Sequence, residues 1–376
     1  MSRELTNSEA VYLVEGAQIL CTGGGGDPIL AKKRIDEIYS QGKSFRIQDI
    51  IEFKPNDFIC IIGMVGGGIS SQDKKFIENI PITSTNVMVE AVNELEKHLG
   101  THFAGFVSTE MGPGNIVIPL YVGSLLDRVI VDGDMCAGRS KPMISISTTT
   151  VVGISITPLA IVSAYGDRMI LKDTISDKRA EDICRMISRL CDGTIAVARC
   201  PMTASDCQKG VVRGSISLAI QLGRELREVA EKNLDPIPII KRVLDASLIF
   251  TGIVEDFTRT DSGGFTSGTI TLRSNHHSLK VWYQNEYLLS WLDGKEYITC
   301  PDSLLIVDRF SGKGLTPWTD DFKKNREVAV FAKASASIWK TKKGLDVFGP
   351  QVFHPRWKYH SYENQLKKKR KEWNSL

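Results

Sequence analysis

Three short segments of this chain are rich in glycine, and two of them carry carboxylates. They are Gly63-Met64-Val65-Gly66-Gly67-Gly68, Ser108-Thr109-Glu110-Met111-Gly112-Pro113-Gly114-Asn115 and Asp132-Gly133-Asp134-Met135-Cys136-Ala137-Gly138-Arg139. Carboxylates held close together repel unless they share a proton or a bound partner, so such a group suits acid–base work or a hard cation. Glu110, Asp132, Asp134 and Arg139 are therefore the candidate catalytic residues. Asp132 or Glu110 would act as base on water, and Asp134 would orient it or share the proton. Arg139 would fix an anionic group of a substrate through its planar fork. The competing reading of each aspartate is a turn hydrogen bond.

A fourth segment, Cys21-Thr22-Gly23-Gly24-Gly25-Gly26-Asp27-Pro28, follows an apolar stretch. Four glycines in a row point to positive φ or to close approach of a ligand. The backbone N–H groups of Gly23, Gly24, Gly25 and Gly26 could nest an anion; a tight structural crossing is the alternative. Asp27, Gly67 and Asn115 complete the expected substrate-binding set. No Gly-Lys-Ser/Thr follows, and Pro28 stands where a dinucleotide loop needs glycine, so no nucleotide cofactor is expected. Cys21 and Cys136 sit beside these loops and could serve as thiolate metal ligands or nucleophiles, although no histidine offers itself as a base. The eight cysteines include no C-x-x-C pair. His98 and His102 read as structural, His276 and His277 as a turn, and His354 and His360 as packing or surface.

Elements must bring these loops together. Apolar runs at 57–63, 103–107 and 129–131 predict strands covered on both faces, with helices at 85–99 and 116–126 between them. Strand–helix alternation implies parallel pairing, which would put the three loops on one rim, at the carboxyl ends of neighbouring strands. Two helices are expected at 178–190 and 215–232. Seven short β runs follow at 248–254, 268–272, 279–283, 287–291, 297–299, 304–307 and 328–331, with turns at Ser262-Gly263-Gly264, Asp293-Gly294 and Ser311-Gly312. The predicted fold is an α/β N-terminal domain (1–165) with a parallel or mixed sheet. A helix-bearing linker and a mostly antiparallel β domain make up 166–376.

The chain has 376 residues, 42% of them hydrophobic and 24% charged, enough to bury a large core. Its net charge of +3 includes the run Lys367-Lys368-Lys369-Arg370-Lys371; without these five the rest carries −2. A near-neutral body is not expected to bind nucleic acid, and the basic run reads as a solvated terminus. No secretory leader or spanning stretch is evident, so a cytoplasmic protein without membrane contact is expected.

Taken together, the loops resemble the family named for S-methyl-thiohydantoin desulfurase. The segments that carry the likeness are Cys21 to Pro28, Glu110 to Asn115 and Val131 to Arg139. Gly252-Ile253-Val254-Glu255, Gly264-Phe265-Thr266-Ser267-Gly268, Asn285-Glu286, Cys300-Pro301-Asp302 and Gly349-Pro350 add to it. The resemblance covers nearly the whole chain, in two domains. It implies hydrolysis of a hydantoin- or thiohydantoin-like ring, with zinc or another divalent metal assisting. It also implies a hydantoinase- or oxoprolinase-type partner, and an assembly of identical subunits is expected. The alternative is a non-catalytic binding or partner subunit of such an enzyme. After Gly138-Arg139 the family tends to read Ala-Phe-Pro-Glu, whereas this chain reads Ser140-Lys141-Pro142-Met143.

Overall fold

The computed structural model describes residues 2–67 and 78–373, with side chains through 367. Gly68 of the first glycine loop, and the side chains of Lys368 to Lys371 in the basic run, lie outside the described residues. Two sheets organise the chain. The first has nine strands: β1 (Arg3–Leu5), β2 (Phe45–Gln48), β3 (Phe58–Gly66), β4 (Gly105–Ser108), β5 (Val129–Asp134), β6 (Leu159–Val162), β7 (Arg168–Leu171), β8 (Thr194–Thr203) and β9 (Val212–Arg213). Their order is β1-β2-β5-β4-β3-β8-β6-β7, with β9 on β5. β2, β5, β4 and β3 run parallel, and β1, β6, β7, β8 and β9 pair antiparallel, so the sheet is mixed.

The three predicted strands are β3, β4 and β5, parallel neighbours as their apolar runs require. Ile59 and Ile61 face one core and Cys60 and Ile62 the other, all fully buried. Helices Val87–Leu99 and Val117–Leu126 supply the crossovers, the first stopping at Gly100 in the left-handed region. Helix Asn7–Leu20 starts with a reciprocal cap between Thr6 and Glu9. It crosses helix Ser215–Glu231 so closely that a β-carbon on Gly16 would meet the Ala219 carbonyl oxygen at 1.9 Å. The first sheet thus draws on residues up to 213, well past position 165. β8 was not anticipated, because Arg199 and Pro201 interrupt its apolar run.

The second sheet is antiparallel throughout: β10 (Ser247–Phe257), β11 (Thr260–Ser262), β12 (Phe265–Ser274), β13 (His277–Gln284), β14 (Glu286–Leu292), β15 (Lys295–Thr299), β16 (Ser303–Asp308) and β17 (Glu327–Lys333). All seven predicted runs fall inside these strands. Leu305, Val307, Ala329 and Phe331 pack into the same core as helix Asn7–Leu20, which fixes the second sheet against the first domain. Among the described residues, no helix is long and apolar enough to cross a membrane.

Candidate active site between the two sheets

The tetraglycine segment lies where the two domains meet. Gly25 O accepts from the N–H groups of Gly114 and Asn115, each at 2.9 Å, and Thr22 O accepts from Tyr287 N at 2.7 Å. Met111 N donates to Arg139 O at 3.1 Å, joining the loops after β4 and β5. Gly23, Gly25 and Gly26 have φ of 95°, 81° and 84°. A β-carbon on Gly24 would lie 1.9 Å from Glu286 Oε1, and one on Gly25 would lie 2.4 Å from the Gly112 α-carbon. The glycines are needed both for backbone sign and for contact distance.

Between these loops opens a cavity of about 380 Å³. Gly24, Gly25, Gly26, Asp27, Gly67, Glu110 and Asn115, all candidate site residues of the sequence, line it. Lys141, Met143, Arg185, Arg199, Glu286 and Trp318 also line it and were not proposed as site residues. Glu110, Lys141, Arg199 and Glu286 are 4%, 6%, 2% and 2% exposed, so four ionisable side chains meet almost out of reach of bulk water.

Their bonding differs. Glu110 Oε1 accepts from Asn115 Nδ2 at 2.6 Å, and Oε2 accepts from Lys141 N at 3.2 Å. Burial raises the Glu110 pKa, and the Lys141 charge and the Asn115 bond oppose the rise. Glu286 is pushed well above the carboxylate range by burial and then by the Glu110 charge; its Oε2 has no hydrogen-bond partner. Lys141 Nζ has none either, and burial followed by the Arg199 charge pulls its pKa down. Arg199 Nη2 donates to Thr109 Oγ1 at 2.5 Å. Arg199 precedes Cys200, which holds a φ of 51°, at the point where the β3–β8 register shifts between Ile59 and Ile61. Such a bulge turns a side chain out of its regular alternation. Arg185 ties the wall together through bonds to the carbonyls of Gly66, Gly264 and Pro142.

Burial and bonding set the two carboxyls apart: Glu110, the better bonded, gives up its proton before Glu286. Both face one small cavity together with Lys141 and Arg199.

The other sequence-predicted residues lie outside the cavity lining. Asp132, half-buried, accepts from Ser217 N at 3.1 Å and Ser217 Oγ at 2.6 Å and so caps helix Ser215–Glu231. Asp134 is fully buried and accepts from Cys136 N at 2.7 Å and Gly138 N at 2.9 Å, shaping the turn after β5. Burial pushes its pKa up to about 6. Arg139 points away from the cavity, into the domain contact. It donates to the carbonyls of Pro301 at 2.9 Å, Asp302 at 3.0 Å and Tyr287 at 3.3 Å, and stacks over Phe348. A fork occupied by backbone oxygens has little left for a substrate. Gly23 packs under the Tyr287 ring instead of lining the cavity. The thiols of Cys21 and Cys136 are buried, and burial pushes both pKa values up, which leaves them protonated.

The donor set does not fit a zinc ion. No histidine or cysteine lines the cavity among the described residues, and its two buried carboxyls stand beside Lys141 and Arg199, which would repel a dication. Nor, among the described residues, do three or more His, Cys, Asp or Glu gather as a metal site elsewhere.

Fold and site define a two-domain protein, α/β then antiparallel β, with a buried carboxyl pair in the cleft between the domains. The chain belongs to the S-Me-THD-like family: the N-terminal domain of that family matches residues 9–173 and the C-terminal domain residues 175–362. A crystal structure of a protein from Chromobacterium violaceum has the same fold, at 22% identity and a TM-score of 0.77. The match covers 96% of this chain and 99% of that one. No match was found among curated proteins.

Proposed function

We propose that this chain is a hydrolase-type enzyme that adds activated water to a hydantoin- or thiohydantoin-like five-membered ring, breaking a C–S or C–N bond. The observation that carries this reading is the pairing of Glu110 from the first domain with Glu286 from the second in one buried cavity. Glu110 takes a proton from water, whose oxygen bonds to the electrophilic ring carbon. The C–S or C–N bond breaks, and Glu286 gives its proton to the ring nitrogen or the departing thiolate. Arg199 stabilises negative charge as it develops, which such groups do best away from bulk water. A cavity of about 380 Å³ suits a small heterocycle, and the family likeness favours the ring. No step is routed through a metal. We place the reaction in the cytoplasm, where eight free, buried cysteines stay reduced.

The test is to incubate purified protein with hydantoin, 2-thiohydantoin and S-methyl-2-thiohydantoin while following ring absorbance and thiol release. Consumption of one ring, lost in Glu110→Gln, is expected. If no ring is consumed and Glu110→Gln binds them as the parent does, the proposal fails. The second reading, a non-catalytic subunit of a hydantoinase- or oxoprolinase-type enzyme, is favoured by Met143, an apolar side chain in the cavity wall. It expects ring binding without turnover, and activity only with the partner present.

A further inference from the structure

Five buried side-chain polar atoms lack a hydrogen-bond partner among the described residues, and two of them belong to residues lining the cavity: Lys141 Nζ and Glu286 Oε2. Both side chains are more than nine-tenths buried. A buried polar atom left unsatisfied is destabilising unless a ligand completes it. One of the two is an amine nitrogen with hydrogens to give, and in its ammonium form it can only donate. The other is a carboxyl oxygen, able to accept from an N–H or, when protonated, to give to a ring nitrogen. Two of their neighbours are already engaged: Glu110 through Asn115 and the Lys141 backbone, Arg185 through three carbonyls.

We infer that Lys141 and Glu286 together read the amide edge of the bound ring, Lys141 donating to a carbonyl oxygen and Glu286 Oε2 meeting the ring nitrogen next to it. The inference rests on the ring reading above and assigns specificity within it. The Glu286 contact is the same before and after proton transfer: the acid gives its proton to the ring nitrogen, and its conjugate base then accepts from the N–H. A ring methylated on that nitrogen, or lacking that oxygen, leaves a buried partner orphaned. Sites built on such bonds reject the deficient analogue strongly, by as much as ~10⁴-fold.

The experiment is calorimetric binding of hydantoin and its N-methylated analogues to the full chain and to Glu286→Met and Lys141→Met, with thermal melting to confirm folding. Methylation at one ring nitrogen should weaken binding to the parent protein at least ~100-fold. The same methylation should change binding to Glu286→Met by no more than a few fold. Replacing the adjacent carbonyl by methylene should likewise weaken the parent and spare Lys141→Met. If hydantoin binds the parent but neither methylation nor carbonyl removal weakens it, this inference falls while the ring reading stands. If no ring binds at all, the ring reading itself falls and takes this one with it. The parent-protein comparison decides even if both variants fail to fold.

Discussion

Two clusters of buried charge lie within the same domain contact, built from the same loops, and they are bonded in opposite ways. Around Arg139 the accounts are closed. Its guanidinium meets four backbone oxygens and the Thr22 hydroxyl, and Asp302 accepts from Ser335 N, Tyr359 Oη and Tyr362 N. In the cavity, Glu286 and Lys141 keep an atom each without a partner. A charge whose every bond is internal holds the architecture together; a charge with a bond left open is placed for something that comes and goes. The comparison therefore assigns Arg139, Asp134 and Asp132 to scaffold and sets Glu286 and Lys141 apart as groups placed for a ligand; Glu110, whose two oxygens are bonded, joins them in the proposal by its place in the cavity wall.

The largest effect should fall in the cavity. Glu110→Gln keeps the shape and removes the proposed base, so turnover of the ring should drop about 10²- to 10⁴-fold, with a smaller change in melting temperature from the loss of one of two acceptors. A large loss of stability without loss of turnover would invert the assignment. Arg139→Met should do the reverse of Glu110→Gln. It leaves buried carbonyls without a donor, and urea denaturation should record a loss of about 3–5 kcal/mol.

Asp134 sharpens the scaffold side through pH. Its folded pKa of about 6 stands above the ordinary 3.8. Its contribution to stability is thus full below 3.8 and lost as pH rises through 6. Asp134→Asn, which retains an acceptor for Cys136 N, should flatten the stability–pH curve over that window by about 3 kcal/mol. An unchanged curve would mean that Asp134 is not buried as a lone carboxyl. The smallest effect belongs to Asp132→Asn. The cap on Ser217 can persist, and only the favourable charge at the helix N-terminus goes, about 0.3–1 kcal/mol. Turnover should be unchanged; a strong loss would return Asp132 to the catalytic set.

Much of the frame was legible in the sequence. Continuous apolar runs marked β3, β4 and β5, short β-rich runs between turn signals marked the second sheet, and parallel pairing then required the loops near 66, 110 and 134 to share a rim. The glycines at 23–26 pointed to positive φ or close approach of a ligand, with a tight structural crossing as the alternative; the structure shows positive φ at Gly23, Gly25 and Gly26 and a crossing against Glu286 and Gly112. What composition and spacing could not show was bonding. Asp132 and Asp134 are carboxylates on the right rim, but Ser217 and the Cys136 and Gly138 amides occupy them. Arg199 was hidden because the charge itself broke the run that would have marked β8; the apolar alternation of Ile195 and Val197 was the signal available. Glu286 begins a strand in the other domain, and only the tertiary contact with Gly24 brings it to Glu110. Lys141 was visible as a departure from the family pattern, yet nothing in the sequence told that its amine would be left without a partner.

The most direct measurement is a ¹³C carboxyl titration of protein labelled at glutamate, with Glu110→Gln and Glu286→Gln to assign the signals. Two resonances should titrate above the usual glutamate range, that of Glu286 well above it, and Glu110→Gln should bring Glu286 down because a negative neighbour has gone. Two carboxyls that titrate independently near 4.5 would contradict the raised pair and, with it, the proposed acid–base roles.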